Sequence, residues 1–239
     1  MPLQNSDVWF ITGCSTGFGR ELAKLVLDRG FRAVITARDP SQIQDLTAHH
    51  DGRAFVLPLD VTDKQQVANA VEQAEQKFGR IDVLVNNAGF GYVGALEESD
   101  DAEVRSMMET NFFGALTVTQ AMLPLLRKSL AGRIVNVLSG LGSLNWNADL
   151  NWEFAPVKLI GYCASKAALN MLTVQLARGL RETPIKVNAS DPGYTATDLN
   201  GRQGFQTVAQ GAAETVRLAL LPADGPTGGF FATSGPDPW

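Results

Sequence analysis

Seven short runs of apolar, mostly β-branched residues alternate along the chain with longer segments whose apolar residues recur at helical spacing. Within a run the apolar residues are consecutive, which is typical of strands that are buried on both faces. Such strands belong to parallel sheets, whose crossover connections place helices on both faces. The pattern therefore predicts an α/β fold with one doubly wound parallel sheet of about seven strands flanked by helices. The predicted strands are Val8–Thr12, Ala33–Thr36, Ala54–Leu59, Val83–Asn86, Arg133–Leu138, Lys186–Ser190 and Gly229–Ala232.

The composition predicts a single domain over residues 1–239, because 45% of the residues are apolar and 19% are charged, which is enough to bury a full core. The net charge is −5 and the basic residues are scattered, so we expect no nucleic-acid partner. No apolar run approaches the ~20 residues that span a bilayer, and Met1–Asp7 lacks the basic and apolar regions of a signal peptide. We therefore expect a cytoplasmic protein with no membrane partner.

Cysteine and histidine are too few and too scattered for a metal centre. Cys14 and Cys163 are the two cysteines, and we expect both to be free thiols in a reducing compartment. His49 and His50 are adjacent in a polar stretch without metal-ligand spacing, which favours a surface loop. The sequence therefore predicts no metal.

A glycine-rich turn follows the first predicted strand and precedes a helical segment at Glu21–Asp28. Its pattern over residues 12–19 is T-G-x-x-x-G-x-G. Gly13 permits a tight turn, Gly17 lets a ligand approach the backbone, and Gly19 allows close packing, while the helix N-terminus offers N–H donors to phosphate. The turn indicates a Rossmann-type dinucleotide site, and the alternative is a glycine-rich turn without a ligand.

The end of the second strand favours NADP(H) as the cofactor. Many dinucleotide folds place an acidic residue there for the adenosine ribose diol, but this chain has Ala37 followed by Arg38. The Arg38 guanidinium can donate two hydrogen bonds to a 2′-phosphate. Asp39 fits better as the start of the next helical turn. The alternative is that Arg38 is an exposed charge at a strand end.

Tyr162 and Lys166 are four positions apart in a helical stretch, so both project from one face. The ammonium of Lys166 and an oxidised nicotinamide ring would each lower the pKa of the Tyr162 phenol from about 10 toward the working pH. Tyr162 can then exchange a proton with a carbonyl oxygen, and Ser139 can donate a hydrogen bond to the same oxygen. A surface pair is the alternative explanation for Tyr162 and Lys166 taken alone.

Taken together, the motifs resemble those of the short-chain dehydrogenase/reductase family over nearly the entire chain. The motifs in chain order are the glycine turn, Asp60-Val61, Asn86-Asn87-Ala88-Gly89, Asn111, Ser139, Tyr162 with Lys166, and Pro192-Gly193. The resemblance implies the catalytic residues Asn111, Ser139, Tyr162 and Lys166, with a water on Asn111 that relays protons past Lys166. It implies the cofactor-binding residues Gly13, Ser15, Thr16, Gly17, Phe18, Gly19, Arg38, Asp60, Val61, Asn87, Ala88, Gly89, Tyr162, Lys166, Pro192, Gly193, Thr195 and Thr197.

The chain departs from the family's shorter members between Ser139 and Tyr162, which are 23 positions apart. We expect the intervening segment, Gly140–Gly161, to be a loop with an apolar surface and no regular element. Because both of its ends adjoin catalytic residues, its aromatic side chains are candidates for the substrate pocket. Packing of these aromatic rings among themselves is the alternative. The predicted pocket residues are Leu141, Trp146, Trp152, Tyr194 and Phe205.

The leading functional hypothesis is an NADPH-dependent reductase that transfers a hydride to the carbonyl of a small aldehyde or ketone, with aryl ketones as one class. An NADP-dependent alcohol or hydroxysteroid dehydrogenase is the alternative within the same chemistry. A dinucleotide-binding sensor without catalysis is the alternative of another class, because the fold alone does not imply an enzyme. The presence of all four catalytic residues favours the enzyme. The sequence is compatible with assembly as a homodimer and with assembly as a homotetramer.

Overall fold

The computed structural model describes residues 4, 6–50 and 52–239. Residues 1–3 and 5 of the Met1–Asp7 segment, and Asp51, lie outside the described residues. All of the strands join one sheet in the order β3-β2-β1-β4-β5-β6-β7-β8. This confirms the predicted doubly wound sheet, whose strand order reverses between β1 and β4. The strands are β1 Val8–Ile11, β2 Arg32–Ala37, β3 Ala54–Pro58, β4 Val83–Asn86, β5 Arg133–Val137, β6 Lys186–Asp191, β7 Phe230–Ala232 and β8 Gly235–Pro236.

The last strand was not predicted. The first seven strands pair in parallel, whereas β8 pairs with β7 in the antiparallel direction. A two-residue strand that contains proline has no periodicity of its own, so its pairing depends entirely on β7.

Helices cover both faces of the sheet. Trp9 and Ile11 of β1 face a core shared with the first and last helices, and Val8 and Phe10 face a second core on the opposite side. This explains why the apolar residues of the strands are consecutive. The helices are α1 Gly17–Asp28, α2 Lys64–Phe78, α3 Asp101–Met108, α4 Ala115–Leu126, α5 Leu144–Ala148, α6 Ile160–Gly179 and α7 Val208–Ala219, and none in the described residues is long and apolar enough to cross a membrane.

The expectation that Gly140–Gly161 holds no regular element is wrong. A 3₁₀ turn spans Gly140–Gly142 and α5 follows directly. The Ser143 hydroxyl caps α5 by accepting a hydrogen bond of 3.0 Å from the backbone N–H of Trp146. A helix of five residues is too short for a recognisable apolar period, so only the cap could have indicated it.

Cys14 and Cys163 are both free thiols, and Cys14 is buried. His49 is exposed, and His50 Nε2 lies 3.5 Å from the Asp28 carboxylate at the end of α1. Among the described residues no group of three or more metal-ligating side chains comes together.

Candidate active site

Hydrogen bonds join the glycine turn between β1 and α1 to the end of β4. The Thr12 hydroxyl accepts hydrogen bonds from the backbone N–H groups of Asn87 at 3.0 Å and Ala88 at 2.9 Å. In return, the Asn87 amide donates to the carbonyl oxygens of Thr12 and Gly13, both at 2.9 Å. Gly13 has a φ of +71°, which favours glycine. These bonds fix the turn at the point where the strand order reverses.

Gly19 is where α1 approaches this turn most closely. A Cβ added at Gly19 would lie 2.2 Å from the carbonyl oxygen of Gly13 and 2.4 Å from the amide nitrogen of Asn87. Neither group can move without breaking the hydrogen bonds between the glycine turn and Asn87. A side chain therefore does not fit at this position.

We therefore predict that Gly19→Ala destabilises the protein by about 1–3 kcal/mol through overpacking and weakens cofactor binding. The matched control is Gly179→Ala in α6, where an added Cβ would meet nothing within 4 Å. That change should be neutral or stabilising, because alanine has the higher helix propensity. Chemical denaturation of both variants measures the difference, and equal stabilities would contradict the packing argument.

A cavity of about 820 Å³ opens at the carboxyl ends of the strands, beside the glycine turn. Gly17 lines it with a φ of +56°, and a Cβ added there would meet nothing within 4 Å, so the backbone is open to a ligand. The first turn of α1 carries no acidic residue, and Thr16 makes no side-chain cap within the described residues. Unshielded N–H groups, an open glycine and a cavity of this size fit a dinucleotide with its pyrophosphate at the helix end.

Most of the predicted cofactor residues line this cavity. Those that line it are Gly13, Ser15, Thr16, Gly17, Phe18, Arg38, Asp60, Val61, Asn87, Ala88, Gly89, Tyr162, Lys166, Pro192 and Thr197. Three others do not line it. Gly19 packs behind the turn as described above, the buried Thr195 hydroxyl donates to the Pro192 carbonyl at 2.9 Å, and the Gly193 N–H donates to Asp191 at 2.8 Å.

Ser139, Tyr162 and Lys166 come together where β5 meets α6. The Ser139 side chain lies beside the Tyr162 phenol, where it acts to lower the pKa of that phenol. Lys166 Nζ donates to the carbonyl oxygen of Val137 at 3.0 Å and lies 5.6 Å from the centroid of the Tyr162 ring. A Cβ added at Gly142 would lie 2.7 Å from Lys166 Cβ, so this glycine lets the 3₁₀ turn after Ser139 approach α6 closely.

Burial dominates the acid–base properties of this group. Desolvation and the nearby Asp191 carboxylate raise the pKa of the Tyr162 phenol above its usual value. Desolvation lowers the pKa of Lys166 to about 8, partly offset by attraction to Asp191. Lys166 and an oxidised nicotinamide ring were expected to lower the pKa of Tyr162. In the protein alone, desolvation and Asp191 act in the opposite direction. In the protein without cofactor, Tyr162 is a neutral phenol that carries a proton to donate.

Asn111 lies in a π-helical turn, Glu109–Gly114, between α3 and α4. Its side chain holds the backbone of Phe90, accepting from the N–H at 3.0 Å and donating to the carbonyl oxygen at 2.9 Å. It also donates to the Ser165 hydroxyl at 3.0 Å, and Ser165 donates to the Tyr162 carbonyl oxygen at 2.8 Å. Asn111 thus connects the loop after β4 to the turn of α6 that carries Tyr162.

The predicted pocket aromatics, together with Phe154, form a continuous series of ring contacts that we call the aromatic row. Trp146 stacks on Trp152 with ring centroids 6.0 Å apart. Phe154, Tyr194 and Phe205 continue the series in edge-to-face contacts at 5.5–5.6 Å. Neither these residues nor Leu141, whose N–H donates to Ser139 at 3.2 Å, are among the described residues that line the cavity.

Several lining residues were missed by the sequence analysis. Ser106, Glu109 and Thr110 reach the cavity from the segment that precedes Asn111, and Asp198 directly follows Thr197. Each is close in sequence to a motif, so proximity was the available signal. Asp191 directly precedes Pro192-Gly193, and its approach to Tyr162 depends on the packing of β6 beside α6.

Comparisons with known proteins agree with this arrangement. The sequence profile of the short chain dehydrogenase family matches residues 7–206. Oxidoreductase BOA17 of Botryotinia fuckeliana is 36% identical over 197 residues, which cover 82% of this chain and 68% of the relative.

Two solved structures extend the likeness to three dimensions. A short-chain dehydrogenase from Streptomyces avermitilis is 32% identical with a TM-score of 0.81, covering 95% of this chain and 87% of that one. An NADPH-bound carbonyl reductase from chicken fatty liver is 27% identical with a TM-score of 0.88, covering 99% of this chain and 100% of that one. The sheet order, the glycine turn and the Ser139, Tyr162 and Lys166 cluster therefore belong to a member of the short-chain dehydrogenase family of oxidoreductases.

Proposed function

We propose that the protein is an NADPH-dependent reductase of small aldehydes and ketones. The observation that carries this proposal is the buried Tyr162 phenol, which lines the cavity beside Ser139 and whose ring centroid lies 5.6 Å from Lys166 Nζ. A buried phenol with a raised pKa keeps its proton until a carbonyl oxygen gains negative charge. The likeness to an NADPH-bound carbonyl reductase supports the same reaction.

When bound, NADPH supplies the hydride that adds to the carbonyl carbon of the substrate. Tyr162 donates its phenolic proton to the carbonyl oxygen, and Ser139 donates a hydrogen bond that stabilises the charge developing on that oxygen. Lys166, whose Nζ lies 5.6 Å from the Tyr162 ring centroid, stabilises the phenolate that the proton transfer leaves behind. Asn111 keeps the turn of α6 that carries Tyr162 in place through Ser165.

The proposed preference for NADPH rests on the environment of Arg38. Its exposed side chain lines the cavity beside Ala37, so an uncharged residue takes the place of an acid. The carboxylate of the adjacent Asp39 is directed into the following turn, where it accepts hydrogen bonds from the N–H and hydroxyl of Ser41 at 3.0 and 2.7 Å. A guanidinium in this position suits a 2′-phosphate.

A screen of NADPH consumption against aldehydes, aliphatic ketones, aryl ketones and ketosteroids tests the proposal, with NADH in parallel. We expect turnover of at least one carbonyl class and a clear preference for NADPH. Cofactor binding in a calorimeter without turnover of any carbonyl or alcohol would favour the sensor function instead. Alcohol oxidation with NADP⁺ but no detectable reduction would assign the enzyme to the dehydrogenase direction.

We further propose that the aromatic row forms one wall of the substrate site, since its residues flank Ser139 and follow Pro192-Gly193. Trp152→Ala should then change the ratio of kcat/KM between a bulky aryl ketone and a small aliphatic one by several-fold, because burial of a ring contributes about 1.5–3 kcal/mol. Leu150→Ala is the control in the same segment, since Leu150 is 91% exposed. If Trp152→Ala lowers only the melting temperature, with every substrate affected alike, the row is part of the scaffold.

A further inference from the structure

The Asp191 side chain lies at the point where β5 and β6 separate. The two strands pair in parallel, and the N–H of Leu138 donates the last backbone hydrogen bond between them to the Ser190 carbonyl at 2.8 Å. Ser139 follows directly on one strand, and residues 192–198, which we call the 192–198 segment, follow on the other. Within the described residues no further backbone hydrogen bond joins the two segments, so their separation depends on side chains.

The Asp191 carboxyl group bridges the gap. Its Oδ2 accepts a hydrogen bond of 2.9 Å from the N–H of Gly140, the residue after Ser139. Its Oδ1 accepts a hydrogen bond of 2.8 Å from the N–H of Gly193. Because a carboxyl group has two oxygens that accept, one side chain holds the backbone of both segments.

The bond to Gly193 sets the conformation of the 192–198 segment where it leaves β6. The bond spans two residues along the chain, which is the pattern of an Asx turn, and Gly193 has a φ of +68°. The Thr195 hydroxyl donates to the Pro192 carbonyl at 2.9 Å and so continues the turn. Since Pro192 and Thr197 line the cavity, this turn positions one of its walls.

The bond to Gly140 holds the start of the 3₁₀ turn that follows Ser139. The end of that turn is held by α6, where the Asn170 amide donates to the Gly142 carbonyl at 3.0 Å. A Cβ added at Gly140 would lie 3.1 Å from Asp191 Oδ2, so the carboxyl group and the turn are in direct contact. Ser139 therefore takes its position from α6 on one side and from Asp191 on the other.

We propose that Asp191 is a positioning residue of the active site: by accepting from the Gly140 and Gly193 amides at once, it sets the distance between Ser139 and the 192–198 segment. The bridge itself does not depend on the proposed function. Its consequence for turnover does, because Ser139 is the proposed donor to the carbonyl oxygen of the substrate. A displacement of about 1 Å can lower the rate of a reaction by about 100-fold.

Asp191→Asn separates the two halves of this role. An asparagine side chain has one oxygen that accepts, and its NH₂ group only donates. The Asx turn onto Gly193 is local and suits asparagine, so we expect this bond to be kept and the bond to Gly140 to be lost. Asp191→Ala removes both bonds.

The first test needs no catalytic activity. Hydrogen exchange followed by NMR should show the Gly140 amide exchanging at least ten-fold faster in Asp191→Asn and Asp191→Ala than in the wild type. Asp100→Ala is the matched control, because Asp100 also accepts from two backbone N–H groups, those of Ala102 and Glu103, but both belong to α3. It should leave the exchange of Gly140 unchanged. Equal exchange of Gly140 in wild type and Asp191→Asn would overturn the bridge.

The second test measures turnover and rests on the proposed reductase function. We expect Asp191→Asn to lower kcat by about ten-fold through misplacement of Ser139. The Kd for NADPH should stay within about two-fold of wild type, because the turn at Gly193 is kept. In a Ser139→Ala background the same change should lower kcat by less than about two-fold, since its effect passes through Ser139.

Two outcomes of the turnover test would overturn the positioning of Ser139. One is a wild-type kcat in Asp191→Asn. The other is the same ten-fold loss with and without the Ser139 hydroxyl, which would mean that Asp191 acts through Tyr162 or through overall stability. If the wild type turns over no carbonyl, the proposed function fails, while the exchange of the Gly140 amide still decides whether the bridge exists.

Discussion

If the protein is the reductase proposed above, we expect Tyr162→Phe to lower the turnover of carbonyl reduction by about 10²–10⁴-fold and to leave the affinity for NADPH nearly unchanged. The change removes only the hydroxyl group, so the buried ring and its contact with Lys166 remain. Without the phenolic proton, the carbonyl oxygen has only the Ser139 hydrogen bond to stabilise its charge. Single-turnover kinetics with a saturating carbonyl and fluorescence titration with NADPH measure the two quantities separately.

The chain offers a matched control in Tyr92, whose hydroxyl accepts a hydrogen bond of 3.3 Å from the N–H of Asp100 outside the catalytic group. Tyr92→Phe makes the same chemical change and should leave the turnover within about two-fold of wild type, since surface substitutions have small effects. If Tyr162→Phe behaves like Tyr92→Phe, another group protonates the carbonyl oxygen and the assignment of Tyr162 is wrong.

Arg38→Asp should reduce the preference for NADPH over NADH by on the order of 100-fold, because a charge-assisted phosphate contact of about 1.5–3 kcal/mol becomes repulsion. The effect should appear in the Kd and KM for NADPH, with the NADH values changed little or improved. Arg181→Asp alters the net charge equally from an exposed position between α6 and β6, at the amino ends of the strands and therefore away from the cavity. Equal losses for both cofactors in Arg38→Asp would contradict recognition of the 2′-phosphate.

The sequence predicted those parts of the fold and site that depend on local pattern. Buried parallel strands have consecutive apolar residues, and the glycine turn has a spacing imposed by its backbone, so both could be recognised along the chain. Most of the predicted cofactor residues accordingly line the cavity.

The features that were missed depend on residues distant in sequence. The Asp191 carboxylate accepts a hydrogen bond from the N–H of Gly140 because β6 pairs with β5. No spacing pattern in the sequence marks Asp191 and Gly140 as partners. The effects that raise the pKa of Tyr162 in the protein without cofactor were not predicted either, since burial and the approach of Asp191 arise only after packing. Tertiary contacts of this kind leave no periodic signal in the sequence.

Both edges of the sheet carry a proline. Pro58 is the last residue of β3 at one edge, and Pro236 is the last residue of β8 at the other. Since proline has no N–H to donate, neither edge presents an uninterrupted row of donors to a strand from another molecule. The short antiparallel β8 also covers Phe231 and Ala232 of β7, which would otherwise form an apolar parallel edge. Strand β8, which was not predicted from the sequence, therefore disfavours edge-to-edge pairing of this sheet with strands of other molecules.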